Sequence, residues 1–234
     1  VEPIALKCIN NSNPLKVKII PGESNLNFKY KWDSDSTMKE PHKELTLKIN
    51  QTGVLSIQAF KNQKTYGEIF NQEFSKNRAN QGSVEYTSTY SEFYESNLNH
   101  TLIDGKIGSL NFKDGNWQGF FGKDIECIID LKETISVSTV KSNFFQYSNS
   151  WIFLPEYLEI HLSEDGENWK KTMKKQPIQS PLKRGQFKET ISVDFHDEMA
   201  RYIKIKAKNR GPVPNWHEAA GSKSWLFIDE VIVE

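Results

Sequence analysis

The sequence predicts an all-β protein of the β-sandwich or barrel kind, in two parts. Three observations lead there. Short segments alternate apolar and polar residues at period two, with turn signals between them. No amphipathic helix of convincing length interrupts them. The chain also closes on Trp225-Leu-Phe-Ile-Asp-Glu-Val-Ile-Val233, a β-rich apolar run that reads as a buried final strand.

The first part, residues 1–79, has candidate strands at 17–20, 28–32, 45–49 and 54–60. In Phe28-Lys-Tyr-Lys-Trp32 the aromatics share one face and the lysines the other. Residues 33–41 form a polar, turn-rich loop, and 61–64 form a hairpin tip before a strand over 65–74. The polar stretch Ser75-Lys-Asn-Arg-Ala-Asn-Gln-Gly-Ser83 marks the boundary to a second part, 82–234. There Ile125, Cys127, Ile129 and Leu131 alternate on one face, followed by a strand at 135–140. In residues 157–162, Leu158, Ile160 and Leu162 point inward and Glu159 and His161 outward. Asp165-Gly166 signals a hairpin. Two more strands fall at 191–195 and 202–207. Gly211, Pro212 and Pro214 then break the chain just before Trp216 and His217, which predicts an aromatic loop anchored by the closing strand.

Composition bounds the function. The 234 residues carry 30 basic and 30 acidic side chains, and this zero balance argues against a nucleic-acid partner. No run reaches the ~18 apolar residues of a membrane span. The opening Val1-Glu2-Pro3 reads as a mature product or an excised fragment. Two cysteines, Cys8 and Cys127, make a disulfide framework implausible and read as buried thiols. The scattered histidines offer no zinc spacing. Lys170-Lys171, Lys174-Lys175 and Lys183-Arg184 flank residues 177–181 and read as a solvated loop. Trp151 reads as a lid on the core, and Trp169, Trp225 and Trp32 as packing residues.

Together these motifs carry a resemblance. Asp104-Gly105, Trp117-Gln-Gly-Phe120, Ile129-Asp-Leu131, Trp151-Ile-Phe-Leu-Pro155, Leu162-Ser-Glu-Asp-Gly-Glu-Asn-Trp169, Ala200-Arg-Tyr-Ile-Lys204, Asn215-Trp-His217 and Trp225-Leu-Phe-Ile-Asp-Glu230 run in order through 82–234. They resemble a discoidin-like (coagulation-factor type C) domain, with its galactose-binding-like jelly roll. More narrowly they look like the version at the C-terminus of bacterial family 20 glycoside hydrolases, the β-N-acetylhexosaminidases or chitobiases. The first part looks like the small Ig/fibronectin-like sandwich of those enzymes. The likeness rests on Tyr30-Lys-Trp-Asp-Ser-Asp-Ser36 and Ile57-Gln-Ala-Phe-Lys61, and departs from the family's Tyr-Thr-Leu-Asp-Gly-Ser-x-Pro.

The resemblance implies an accessory region and no enzyme in this chain alone, because the family's catalytic barrel, typically ~250 residues, is absent from it. Asp229-Glu230 lies in the closing strand and is not the family's acid/base pair. A structural calcium would be held by Asp104, Ser109 and Glu230, since Asp104-Gly-Lys-Ile-Gly-Ser109 has the D-G-x-x-x-S spacing. A glycan ending in galactose or N-acetylhexosamine would stack on aromatic rings, with amides taking its hydroxyls. The candidates are Trp216 and His217, Trp117 and Gln118, and Asn143 and Gln146. The other implied partner is the parent enzyme's catalytic barrel, and the implied location is periplasmic, cell-surface or secreted. The alternative is a bracing or dimerisation module that binds no sugar. Membrane-lipid binding lacks the hydrophobic spikes and basic rim that it needs.

Overall fold

The computed structural model describes residues 4–9, 15–41, 46–180 and 182–234. The protein is all-β. Its first unit contains β1 (Ile4–Ile9), β2 (Leu15–Pro21), β3 (Asn27–Trp32), β4 (Thr46–Ile49), β5 (Gly53–Lys61) and β6 (Lys64–Phe74). One antiparallel sheet runs β1-β2-β4, and the facing sheet begins β3-β5-β6. Alternation dictates the packing. Leu15, Val17 and Ile19 share the buried face of β2 and Lys18 faces water. Phe28 and Trp32 enter the same core from β3, with Tyr30 packed against it. The strand expected at 45–49 is β4, and its first residue, Leu45, lies outside the described residues.

The β5–β6 hairpin turns on Asn62 and Gln63, with φ of 50° and 65°. Two left-handed residues in succession match the twist of paired strands. Within the hairpin, register shifts between Ile57 and Ala59. The Gln58 amide fills that gap by donating to the carbonyls of Ala59, Tyr66 and Gly67.

The second unit adds β7 (Ser83–Tyr86), β8 (Lys106–Ile107), β9 (Gln118–Phe121), β10 (Ile125–Tyr147), β11 (Leu158–Ser163), β12 (Lys171–Lys175), β13 (Gln186–Ala207) and β14 (Trp225–Val233). Its strand order is β12-β11-β13-β10-β14-β9, with β7 also on β10. Two long strands make the jelly roll. The first half of β10 pairs with β7 and with the end of β13; its second half pairs with β14 and with the start of β13. Register breaks lie between, at Asp130/Ile135 and Val137/Thr139. Buried positions switch from odd (Ile125 to Val137) to even (Val140 to Phe144) across the second break. Lys132 and Asp197 take φ of 71° and 52° at the bend. Both layers therefore share two continuous strands, and their inner faces meet in one core.

This corrects the expectation of separate strands at 125–131 and 135–140, and at 191–195 and 202–207. Bulges, not turns, separate those segments. β10 also runs on to Tyr147, because 142–146 are buried on both faces and show no alternation. A smaller core of Trp117, Phe145, Ile152 and Phe227 covers the outer side of the β10–β14 layer.

The two units are stitched together. β8 pairs with β6, so a strand from the second unit extends the first unit's sheet to β3-β5-β6-β8. The polar stretch 75–83 is no loose linker. Asn77 is buried and donates to Glu230 Oε1 and the Val231 carbonyl, both at 2.6 Å. Its Oδ1 accepts from the Ala79 and Val233 N–H groups. Asn116 Nδ2 donates to Gln72 Oε1 at 3.0 Å, and Lys188 reaches Glu73 at 3.6 Å. Cys8 lies in the first core and Cys127 in the second; both are free, and burial pushes each thiol up to about 12. Among the described residues, no helix is long and apolar enough to cross a membrane.

Candidate functional site

Three connections meet at one end of the larger sandwich: 148–157, 176–185 and 208–224. Strand pairing brings them together, since Tyr147 faces Gln186, and Leu158 faces both Lys175 and Ala207. The β9–β10 turn joins them through Asp124, which accepts from Lys208 Nζ at 3.0 Å and from Asn209 N at 2.9 Å.

The 208–224 loop is ordered by the residues that made it a sugar candidate. His217 Nδ1 accepts the Ala219 N–H at 3.0 Å, which places the ring proton on Nε2, where it donates to the Ser148 carbonyl at 3.0 Å. Nδ1 orders its own loop, and Nε2 ties that loop to the 148–157 connection. Trp216 is half-buried. Phe153 and His217 meet its ring edge-on at 6.1 and 5.7 Å, and the Arg184 guanidinium lies 4.6 Å from its centroid.

Beside this stack opens a pocket of about 590 Å³. Gln146 and Leu154 are its deepest residues, at 1% and 4% exposure. Gln146 donates to the Lys183 carbonyl and accepts from Leu154 N, so it holds the floor and one loop together. Glu156, Tyr157, Lys174, Gln176, Gln179 and Arg210 bring polar groups to the walls, between Pro155 and Pro177. Lys174 Nζ stands 3.3 Å from the Tyr157 ring centroid. Arg210 lies against Phe153, 5.8 Å from its centroid, and partial burial lowers its pKa while Glu156 opposes that shift. Buried Glu189 accepts the backbone N–H groups of Ile178 and Gln179 and so fixes the wall segment.

Of the six sugar candidates, only Trp216, His217 and Gln146 reach this end of the molecule. Trp117 is 1% exposed, donates to the Ser109 carbonyl and packs on Phe145, so no ring face is open to a sugar. Gln118 is fully buried; it accepts from Tyr86 Oη and donates to the Leu98 carbonyl. Asn143 is buried and bonds Asp229 and Thr190. These polar side chains were mistaken for surface because β10 and β9 are covered on both faces. Trp151 errs the other way. At φ 61° on a loop end, it is 37% exposed and does not lid the core. Of the basic residues read as a solvated loop, Lys174 lines the pocket and Arg184 lies over Trp216; Pro181 lies outside the described residues.

The calcium candidates occupy the junction of the two units. Asp104 and Glu230 are buried, but N–H donors surround them. Asp104 accepts from Lys106 N and Asn97 Nδ2, both at 3.0 Å, and Lys106 Nζ stands at 3.5 Å. Glu230 Oε1 accepts from Asn77 Nδ2 and from Gly105 N. Only Glu230 Oε2 lacks a partner there. Neighbouring Asp229 accepts from Gly108 N at 2.8 Å. Ser109 is exposed, and its carbonyl is taken by Trp117. Calcium needs ~6–8 oxygens converging on one point. Among the described residues, no three His, Cys, Asp or Glu side chains are grouped to hold a metal. The donor set does not fit calcium; a lysine ammonium and amide N–H groups balance the carboxylates. Burial raises all three acids: Asp104, Asp229 to about 8, and Glu230 well above its usual value.

No protein-family model matches the sequence, and no curated protein does. Several solved structures are similar to it. A fucose-binding module of Streptococcus pneumoniae is 18% identical with a TM-score of 0.41, over 67% of this chain and 93% of that one. The lectin domain of lectinolysin, complexed with Lewis B antigen, is 14% identical with a TM-score of 0.43, over 69% and 97%. CpGH89CBM32-5 from Clostridium perfringens, in complex with GalNAc-β-1,3-galactose, is 16% identical with a TM-score of 0.41, over 67% and 96%. At this distance, what the chain does has to be argued from its own residues.

Proposed function

We propose that the chain is a non-catalytic carbohydrate-binding accessory region whose sugar site is the loop-end pocket. One observation carries this reading. Amide, carboxylate, phenol and cationic groups converge on one pocket beside the apolar Leu154, Pro155 and Pro177, which suits a ligand with many hydroxyls and a few apolar faces. The motif resemblance supports a parent of the β-N-acetylhexosaminidase (chitobiase) type acting outside the cytoplasm. There a weak second contact raises the effective concentration of substrate at the catalytic barrel. The test is a glycan-array screen of the chain and of a Gln176→Ala/Gln179→Ala variant. Binding that disappears in the variant, at unchanged melting temperature, places the sugar in the pocket. Binding that survives moves the site elsewhere, and a silent array with folded protein removes the reading.

A second reading, a bracing module packed on the catalytic barrel, draws on one feature of the same end. Ile178 and Leu182 are 83% and 67% exposed in the loop that forms the pocket wall. If they are buried in the full-length enzyme, Ile178→Asp should weaken the barrel contact and leave glycan binding intact.

A further inference from the structure

The charge of the site differs from the charge of the chain. The whole sequence is balanced, with 30 basic and 30 acidic residues. At the pocket the balance tips. Lys174 and Arg210 line it against Glu156 alone. Lys183 and Arg184 stand on the adjoining loop. Lys183 Nζ bonds the pocket residue Gln179 through its Oε1 at 2.7 Å, and Arg184 is stacked on Trp216. Glu189, which holds the same wall segment, is spent on the backbone N–H groups of Ile178 and Gln179. Two cations thus line the cavity, two more stand on the loop beside it, and Glu156 is the one lining carboxylate.

Arg210 is the most informative of them. Its guanidinium is partly desolvated against Phe153, at the edge of a pocket and not on an open face. A planar fork of N–H donors in such a place matches a planar two-oxygen acceptor better than a neutral hydroxyl. The amides of Gln176 and Gln179 suit the remaining hydroxyls, and Glu156 keeps a cationic pocket from binding anions indiscriminately.

We propose that the pocket takes an acidic sugar, one whose ring carries a carboxylate or sulfate, with Arg210 on the anionic group and Lys174 beside it. This rests on the carbohydrate-binding reading of the same pocket and narrows it.

The experiment is calorimetric titration of the full chain with an oligogalacturonate, sialyllactose, a sulfated oligosaccharide and, as neutral controls, lactose and chitotriose. The carboxylated or the sulfated ligand should bind at least about 10-fold tighter than the neutral pair, and the arm that does so identifies the anion. Raising salt from about 0.05 M to about 0.5 M should weaken that binding several-fold, because exposed charges are screened. Arg210→Gln should cut acidic-ligand affinity by about 10-fold or more. Lys174→Gln, at an exposed position, should give a smaller loss in the same direction. Neutral sugars bound as tightly as acidic ones, without salt dependence, would overturn the acidic-sugar inference and leave the carbohydrate site standing. Failure of every sugar to bind would overturn both.

Discussion

Lys106 does at the junction what a metal ion was expected to do. It stands 3.5 Å from a carboxylate that has almost no access to water. Lys106→Met leaves Asp104 buried without its cation, which should cost about 3–5 kcal/mol in denaturant titration. Adding calcium or a chelator should leave the melting temperature of the unaltered protein where it is. The neighbouring Asp229 gives the junction a pH dependence. Its folded pKa is raised from 3.8 to about 8, so the folded protein keeps a proton that the unfolded chain releases. That stability is complete below pH 3.8 and is lost as the pH climbs through about 8, by at most about 1.4 kcal/mol per pH unit. Urea midpoints should therefore be higher near pH 5 than near pH 8, with a flatter profile in Asp229→Asn. Trp117→Ala should cost about 3–5 kcal/mol and leave glycan binding untouched. Sequence reasoning chose Trp117, Gln118 and Asn143 because polar and aromatic residues together look like a surface. Nothing local distinguishes an amide bonding a sugar from one bonding a buried strand. The loop position of Trp216 was legible through its flanking prolines; that Arg210 and Lys174 line one pocket was not, because distant segments must meet before they share it.

At the level of elements, β10 and β13 show where alternation stops informing. Their first and last turns of pattern were legible, since Ile125 to Leu131 and Ile203 to Ala207 have one wet face. The bend between halves was not, because a bulge such as that near Ser138 shifts parity without any turn residue. β8 was invisible for another reason: two residues form no pattern, and only pairing with β6 defines the strand. Its approach depends on Gly105, whose φ is 75° and whose missing Cβ would lie 2.8 Å from Leu15 Cδ2. Gly105→Ala should destabilise by about 1–3 kcal/mol through backbone strain, and more if Leu15 cannot yield. A crystal structure of the variant should show the β6–β8 pair displaced.

For the whole molecule, the polar stretch between the two cores was readable from the sequence, but the way it fastens them was not. Ser75 to Ser83 is polar in the manner of a flexible linker, yet Asn77 makes four hydrogen bonds inside the protein. Calorimetry should accordingly record one cooperative transition for the intact chain, and Asn77→Ala should broaden or split it. The same arrangement supplies a chemical clock. Each core holds one sheltered thiol, Cys8 in the small sandwich and Cys127 in the large one. An alkylating reagent can reach either sulfur only when its own core opens, so peptide mass spectrometry after a timed pulse would follow the two halves separately within one molecule. Equal labelling times would mean that the halves open as one body; an early Cys8 would show the small sandwich breathing by itself.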